Sequence, residues 1–134
     1  MARTAFEELK VYRLAETLAD NIWDIVTGWN PFARDTVGKQ IVRAADSIGA
    51  NIAEGVGRGS YQDNRRFIRV ARGSLNETKH FLRRAYRRKL VNQRHVDLLK
   101  PTIDELSPRL NAYLKSIGSP RNRVIDVQRN ANGN

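Results

Sequence analysis

The sequence predicts an all-α fold built from four amphipathic helices, and three observations carry that prediction. Apolar residues recur at spacings of three and four along four separate stretches, the positions that share one face of an α-helix. No stretch alternates apolar and polar residues as a half-buried strand would. With 134 residues, 40% hydrophobic and only 7% aromatic, the chain fits one domain whose core comes from Leu, Ile, Val and Ala, a composition suited to helix packed on helix.

The first helix is predicted from about Phe6 to Thr27, its buried face written by Leu9, Tyr12, Ala15, Leu18, Ala19, Ile22, Ile25 and Val26. Gly28, Asn30 and Pro31 then interrupt the pattern, and a loop to about Asp35 is expected. The second helix is predicted from about Thr36 to Glu54, with Val37, Ile41, Ala44, Ala45, Ile48 and Ile52 as its apolar stripe. Ala44, Ala45, Gly49, Ala50 and Ala53 let a neighbouring backbone come close, which predicts a central place in the packing.

The run Gly55-Val56-Gly57-Arg58-Gly59-Ser60 has the glycine density of a phosphate-binding loop but not its context. A helix precedes it where a dinucleotide fingerprint needs a strand, and Gly-Arg-Gly-Ser replaces the Gly-Lys-Ser/Thr ending of a P-loop. It reads instead as a helix end and turn, with Ser60 and Asp63 opening the next helix.

The third helix is predicted from about Tyr61 to Leu90. At 100° per residue, Phe67, Ile68, Val70, Ala71, Leu75, Phe81, Leu82, Ala85 and Tyr86 fall within an arc of about 160° that faces the core. Arg65, Arg66, Arg69, Arg72, Lys79, Arg83, Arg84 and Arg87 fall near the opposite side, a basic stripe about 33 Å long at ~1.5 Å per residue. The fourth helix is predicted from about Asn92 to Ile117, where Val96, Leu99, Ile103, Leu106, Leu110, Tyr113 and Ile117 give a seven-residue repeat. Pro101 and Pro108 predict a kink or break near each. Residues 1–118 are thus expected to form one bundle domain, and residues 119–134, rich in Asn and Arg, a disordered tail.

Charge is the feature with functional content. The net charge is +10, but residues 1–57 hold six basic and eight acidic side chains, residues 58–94 twelve and two, and residues 95–134 six and four. The whole excess sits in the middle. Like charges three and four residues apart on a helix repel, and only Asp63 and Glu77 offset them. Such a block is the footprint expected of a site for a polyanion, each Arg–phosphate contact being able to form two hydrogen bonds and release counterions. The expected binding residues are Arg58, Arg65, Arg66, Arg69, Arg72, Lys79, Arg83, Arg84, Arg87 and Arg88, contacting RNA or DNA backbone without reading its sequence. Tyr61 and Tyr86 flank the stripe as candidates for base stacking, whereas Trp23, Trp29, Tyr12 and Tyr113 read as core or interface anchors.

Other chemistries find no support in the pattern. With no cysteine there is no thiolate nucleophile, thiolate metal site or disulfide, which fits a reducing cytoplasm. The charges of the first thirty residues leave no place there for a secretory core or a membrane span, and no later segment spans either. Glu77-Thr78-Lys79-His80 matches half of a di-iron motif, but the other histidine, His95, has no Glu three residues before it. Glu54 has no partner with which to act as a general base. No enzyme activity, no metal and no cofactor are therefore expected.

Four helices with short connections imply a bundle, and specific residues sharpen this into a resemblance. Ser47-Ile48-Gly49-Ala50-Asn51-Ile52-Ala53-Glu54-Gly55, preceded by Gln40-Ile41-Val42-Arg43-Ala44-Ala45, resembles the signature of the four-helix-bundle proteins associated with intervening sequences of bacterial 23S rRNA genes. Phe6-Glu7-Glu8-Leu9-Lys10-Val11-Tyr12 resembles that family's opening, and Ala71-Arg72-Gly73-Ser74-Leu75-Asn76-Glu77 its third-helix segment. The resemblance covers about residues 6–117. It implies an antiparallel up-and-down bundle assembling as a ring-like homo-oligomer, a pentamer, and it makes Asn51, Glu54, Gly55, Gly73 and Ser74 structural residues of the family pattern. Asn51 and Glu54 are expected to satisfy polar groups at the helix end, Glu54 with an Arg of the third helix or of a neighbouring subunit. Proteins of similar fold serve as accessory factors of reverse transcriptases in diversity-generating retroelements, which makes a reverse transcriptase a candidate partner. The chain departs from the pattern at Pro31-Phe32-Ala33-Arg34-Asp35-Thr36-Val37-Gly38 and in the Arg-rich end of its third helix. The alternative expectation is an oligomeric scaffold whose basic face docks an acidic protein without nucleic acid.

Overall fold

The computed structural model describes residues 5–118. Four helices share one hydrophobic core, with no strand among the described residues: α1 (Lys10–Thr27), α2 (Lys39–Val56), α3 (Tyr61–Arg87) and α4 (Gln93–Ser116). The stretch 119–134, read from sequence as a tail, lies outside the described residues.

A turn of 3-10 helix (Ala5–Glu8) leads into α1, and Phe6 meets the Tyr12 ring edge-on at 4.9 Å. Ala15, Leu18, Ile22 and Val26 are buried as expected, but the centre of the face is turned slightly: Val11 and Leu14 join them, and Leu9, Tyr12, Ala19 and Ile25 are only half-buried at its edge. The next helical stretch starts earlier than its apolar pattern predicts. Pro31, read from sequence as a stop, stands at the first position of a helical turn (Pro31–Ala33), and the Asn30 side chain accepts the Ala33 N–H at 3.0 Å. A proline at that position gives up an N–H that has no helical partner anyway, so it starts a helix as readily as it ends one. A π-helical stretch (Arg34–Gly38) then continues into α2 without a loop. Gly38 is where this stretch crosses α1: a Cβ there would lie 2.9 Å from Val26 Cγ1 and 3.1 Å from the Ala33 carbonyl.

α2 buries Ile41, Ala44, Ala45, Ile48, Ile52 and Gly55 and packs most extensively against α3, as its small residues predict. At the α2–α3 corner, a Cβ on Gly55 would fall 2.6 Å from Asn64 Oδ1 and 3.2 Å from the Asn64 carbonyl. Ser60 caps α3, its hydroxyl accepting the Asp63 N–H at 3.1 Å. The buried stripe of α3 is Ile68, Ala71, Ser74, Leu75, Thr78 and Ala85. Val70 and Tyr86, expected in the core, stand at the margins of that arc and are 45% and 49% exposed. Ser74 and Thr78 take up buried positions instead, and the Thr78 hydroxyl is satisfied by donating to the Ser74 carbonyl at 2.8 Å.

α3 ends at Arg87, three residues before the expected Leu90. Lys89 takes a left-handed conformation (φ 63°), the Leu90 N–H returns to the Ala85 carbonyl at 2.9 Å, and the Lys89 N–H bonds the Tyr86 carbonyl at 3.1 Å, a Schellman ending. Asn92 and His95 then cap α4 reciprocally, each side chain accepting the other's backbone N–H. Of the kink or break expected at Pro101 and Pro108, the break does not occur: α4 runs through both as one helix. Seven residues apart, both prolines lie on the exposed face, so the carbonyls they strand, those of Asp97 and Asp104, belong to exposed residues and can be hydrated.

Candidate functional site

The ten basic residues singled out on and beside α3 do not form one stripe; the structure sorts them by which neighbour they flank. Arg65, Arg72 and Lys79 repeat every seven residues and line the side toward α4. Arg65 donates to the Ile117 carbonyl at 2.9 Å, while Arg72 reaches Asn111 Oδ1 and Lys79 reaches Ser107 Oγ, each at 3.4 Å. Arg65 and Lys79 are half-buried, so these two serve the fold before any ligand.

On the opposite flank, toward α2, Arg58 and Arg66 both lie against the Phe67 ring, with guanidinium carbons 4.7 Å and 4.5 Å from its centroid. Arg58 also pairs with Glu54 at 2.7 Å, and Arg66 Nε lies 3.8 Å from Asp63. Glu54 thus finds its arginine in the turn before α3 rather than on α3 itself. Arg84, half-buried, belongs to the same flank. Between the two flanks stand Arg69 and Arg87, Arg83 borders the groove toward α4 beyond Lys79, and Arg88 follows at the helix end; all four are exposed, and no carboxylate among the described residues lies within ion-pair distance of them.

The matched family residues are structural in varied ways. Asn51 is not an end cap. Its amide donates to the carbonyl and the hydroxyl of Ser47 at 2.8 Å and 2.9 Å, and the Ser74 hydroxyl donates to the same Ser47 oxygen at 3.0 Å, linking α2 to α3. Gly55 allows the close approach of α3, whereas Gly73 is exposed, with no atom within 4 Å of where its Cβ would stand.

Of the stacking candidates, Tyr61 is half-buried beside Gly118 and is no free platform, while Tyr86 is partly exposed next to Arg83. The aromatic that the sequence reading missed is Phe32, 79% exposed and the barest large apolar side chain described. His80 is exposed and touches Phe81 edge-on at 5.2 Å; among the described residues no three acidic, His or Cys side chains gather to hold a metal ion. No helix among the described residues is long and apolar enough to cross a membrane.

The other side of the molecule is acidic. Glu16, Asp20 and Asp46 line a groove between α1 and α2 with Tyr12. Desolvation, and then Asp20, raises the Asp46 carboxyl above its usual pKa; desolvation, and then Glu16, raises the Tyr12 phenol.

These features define a small four-helix protein that concentrates its positive charge on one helix, with an acidic groove between helices α1 and α2. The chain belongs to the 23S rRNA-intervening sequence protein family, whose model matches residues 7–112. Among solved structures it is similar to a protein of unknown function from the S23 ribosomal protein family of Bacteroides thetaiotaomicron. The two share 24% identity over 78% of this chain and 98% of that one, with a TM-score of 0.69, a likeness of fold. Comparison with curated proteins finds no match.

Proposed function

We propose that this protein binds the phosphate backbone of RNA or DNA, without enzymatic activity and without reading sequence, through the exposed cations of α3. The observation that carries this is the set Arg69, Arg83, Arg87 and Arg88, exposed and unmatched by carboxylates, within a segment of twelve basic and two acidic residues. Desolvating an unpaired arginine gains nothing in a monomer, whereas a phosphate supplies charge and two acceptors at once. The half-buried Arg65 and Lys79 contribute long-range field rather than contact.

The bundle reads as antiparallel and up-and-down. In support, its connections are short, and the α4 partners of Arg65, Arg72 and Lys79 descend from Ile117 to Asn111 to Ser107 as α3 ascends. Assembly as a ring-like homo-oligomer, a pentamer by family resemblance, would repeat the α3 surface around an axis and turn weak contacts into avidity. A cytoplasmic role beside rRNA intervening sequences, or with a reverse transcriptase, fits the same surface.

A salt titration tests the reading. Affinity for a structured RNA should fall steeply and linearly in log salt, and replacing Arg69, Arg83, Arg87 and Arg88 with Gln should leave the helical circular dichroism unchanged while reducing the slope by about 0.7–0.9 per lost phosphate contact. An unchanged slope overturns it, and a defined acidic protein partner binding in its place would make the molecule an adaptor.

A further inference from the structure

Beyond the α3 ridge, the structure has an open cleft of about 860 Å³ between the start of the α2 stretch and the end of α3. Its walls carry the phenyl rings of Phe32 and Phe81, the His80 imidazole, and four cations, Lys39, Arg43, Arg84 and Arg88. The one carboxylate in the lining, Asp35, has Arg34 Nε 3.9 Å away. We propose that this cleft receives an unpaired nucleotide of a single strand, its base against Phe32 and its phosphate among the cations.

Four features of the site point there. Phe32 is 79% exposed, an orientation that is costly in water unless a ligand covers the ring. It is also rigidly presented: Asn30 caps its turn, Pro31 precedes it, and the Thr36 hydroxyl donates to the Phe32 carbonyl at 2.7 Å. Little ordering entropy is therefore lost when a base stacks on it. The segment behind it is π-helical, an arrangement that occurs frequently at functional sites. Finally, the volume is in the range of about 300–1,000 Å³ that small ligands fill.

The combination selects the ligand class. Four cations favour an anion, two phenyl rings favour a flat apolar face, and a nucleotide joins both in one unit. A duplex keeps its bases paired and stacked, so it offers this cleft only phosphates. The inference rests on α3 meeting phosphates, because Arg88 belongs to both surfaces, but it adds a preference for unpaired strand that the ridge alone does not create.

The experiment compares a fluorescein-labelled oligouridylate with a labelled RNA duplex of matching length, by anisotropy, on wild-type protein and on Phe32→Ala. Because Phe32 is exposed, the substitution leaves the core intact, which circular dichroism verifies. The expected result is a loss of about tenfold in affinity for the oligouridylate with duplex affinity unchanged. Lys39→Gln with Arg43→Gln, neither on α3, should weaken the oligouridylate further and flatten its salt dependence. Equal losses on both probes, or no loss on either, overturn the cleft and leave the ridge standing if duplex binding remains salt-dependent; absence of binding to both probes overturns the two together. Adenosine monophosphate should not displace the oligouridylate, and its binding more tightly than the strand would overturn the assignment to a strand.

Discussion

Two glycines of the family pattern carry opposite consequences at the scale of single residues. At Gly55 a Cβ would collide with Asn64 Oδ1 at 2.6 Å and press on backbone and Phe67 at 3.2 Å, so the α2–α3 corner has no room for it. Gly55→Ala should cost about 1–3 kcal/mol of stability, read as a lower urea midpoint. Gly73 sits exposed in the middle of α3 with open space around it, so Gly73→Ala should raise stability by about 1 kcal/mol in the same measurement, the ordinary helix-propensity difference. Both residues were marked by one resemblance, and only the neighbours reveal which of them packing requires. Phe32 illustrates the same limit: its exposure depends on Pro31 starting a helix, whereas the pattern of apolar spacings reads that proline as a stop.

The helix termini and the grooves between helices carry the next set of consequences. α3 closes through Lys89 in the left-handed region, where a side chain is strained and glycine is not. Lys89→Gly should therefore stabilise the protein by about 1 kcal/mol, and an unchanged denaturation midpoint would show that Lys89 bears no such strain. In the α1–α2 groove, the raised Asp46 pKa means that the folded chain holds this proton more tightly than the unfolded one. Stability should thus decline as pH climbs from the ordinary carboxylate range through the raised value, and ionised Asp46 is a burden at neutral pH. Asp46→Asn should raise the melting temperature at neutral pH and not in acid, where Asp46 is already neutral; desolvation first, and then the Asp20 charge, set this shift. All four helices were legible from their apolar periods because burial enforces those spacings. The division of the α3 cations was not, since Arg65, Arg72 and Lys79 differ from Arg69 and Arg87 only in facing α4, whose position no property of α3 declares.

For the whole molecule, the asymmetry of charge seen in the sequence survives folding. α1 packs chiefly on α2 and α4, and α3 chiefly on α2, so α1 and α3 lie diagonally across the core. α1 presents exposed Glu16, Asp20 and Asp24 beside exposed Lys10 and Arg13, and α3 presents Arg69, Arg72, Arg83 and Arg87. That diagonal separation could not be read from a linear count of residues, because a charge block becomes a face only when its opposite number is known. Its consequence is kinetic: with its positive charge gathered toward one corner and a nearly neutral corner opposite, the charge distribution is lopsided, and near any long polyanion the field exerts a torque that swings the arginine corner forward before the surfaces touch. Encounters then begin aligned, and added salt, by shortening the reach of the field, slows arrival as well as loosening the hold.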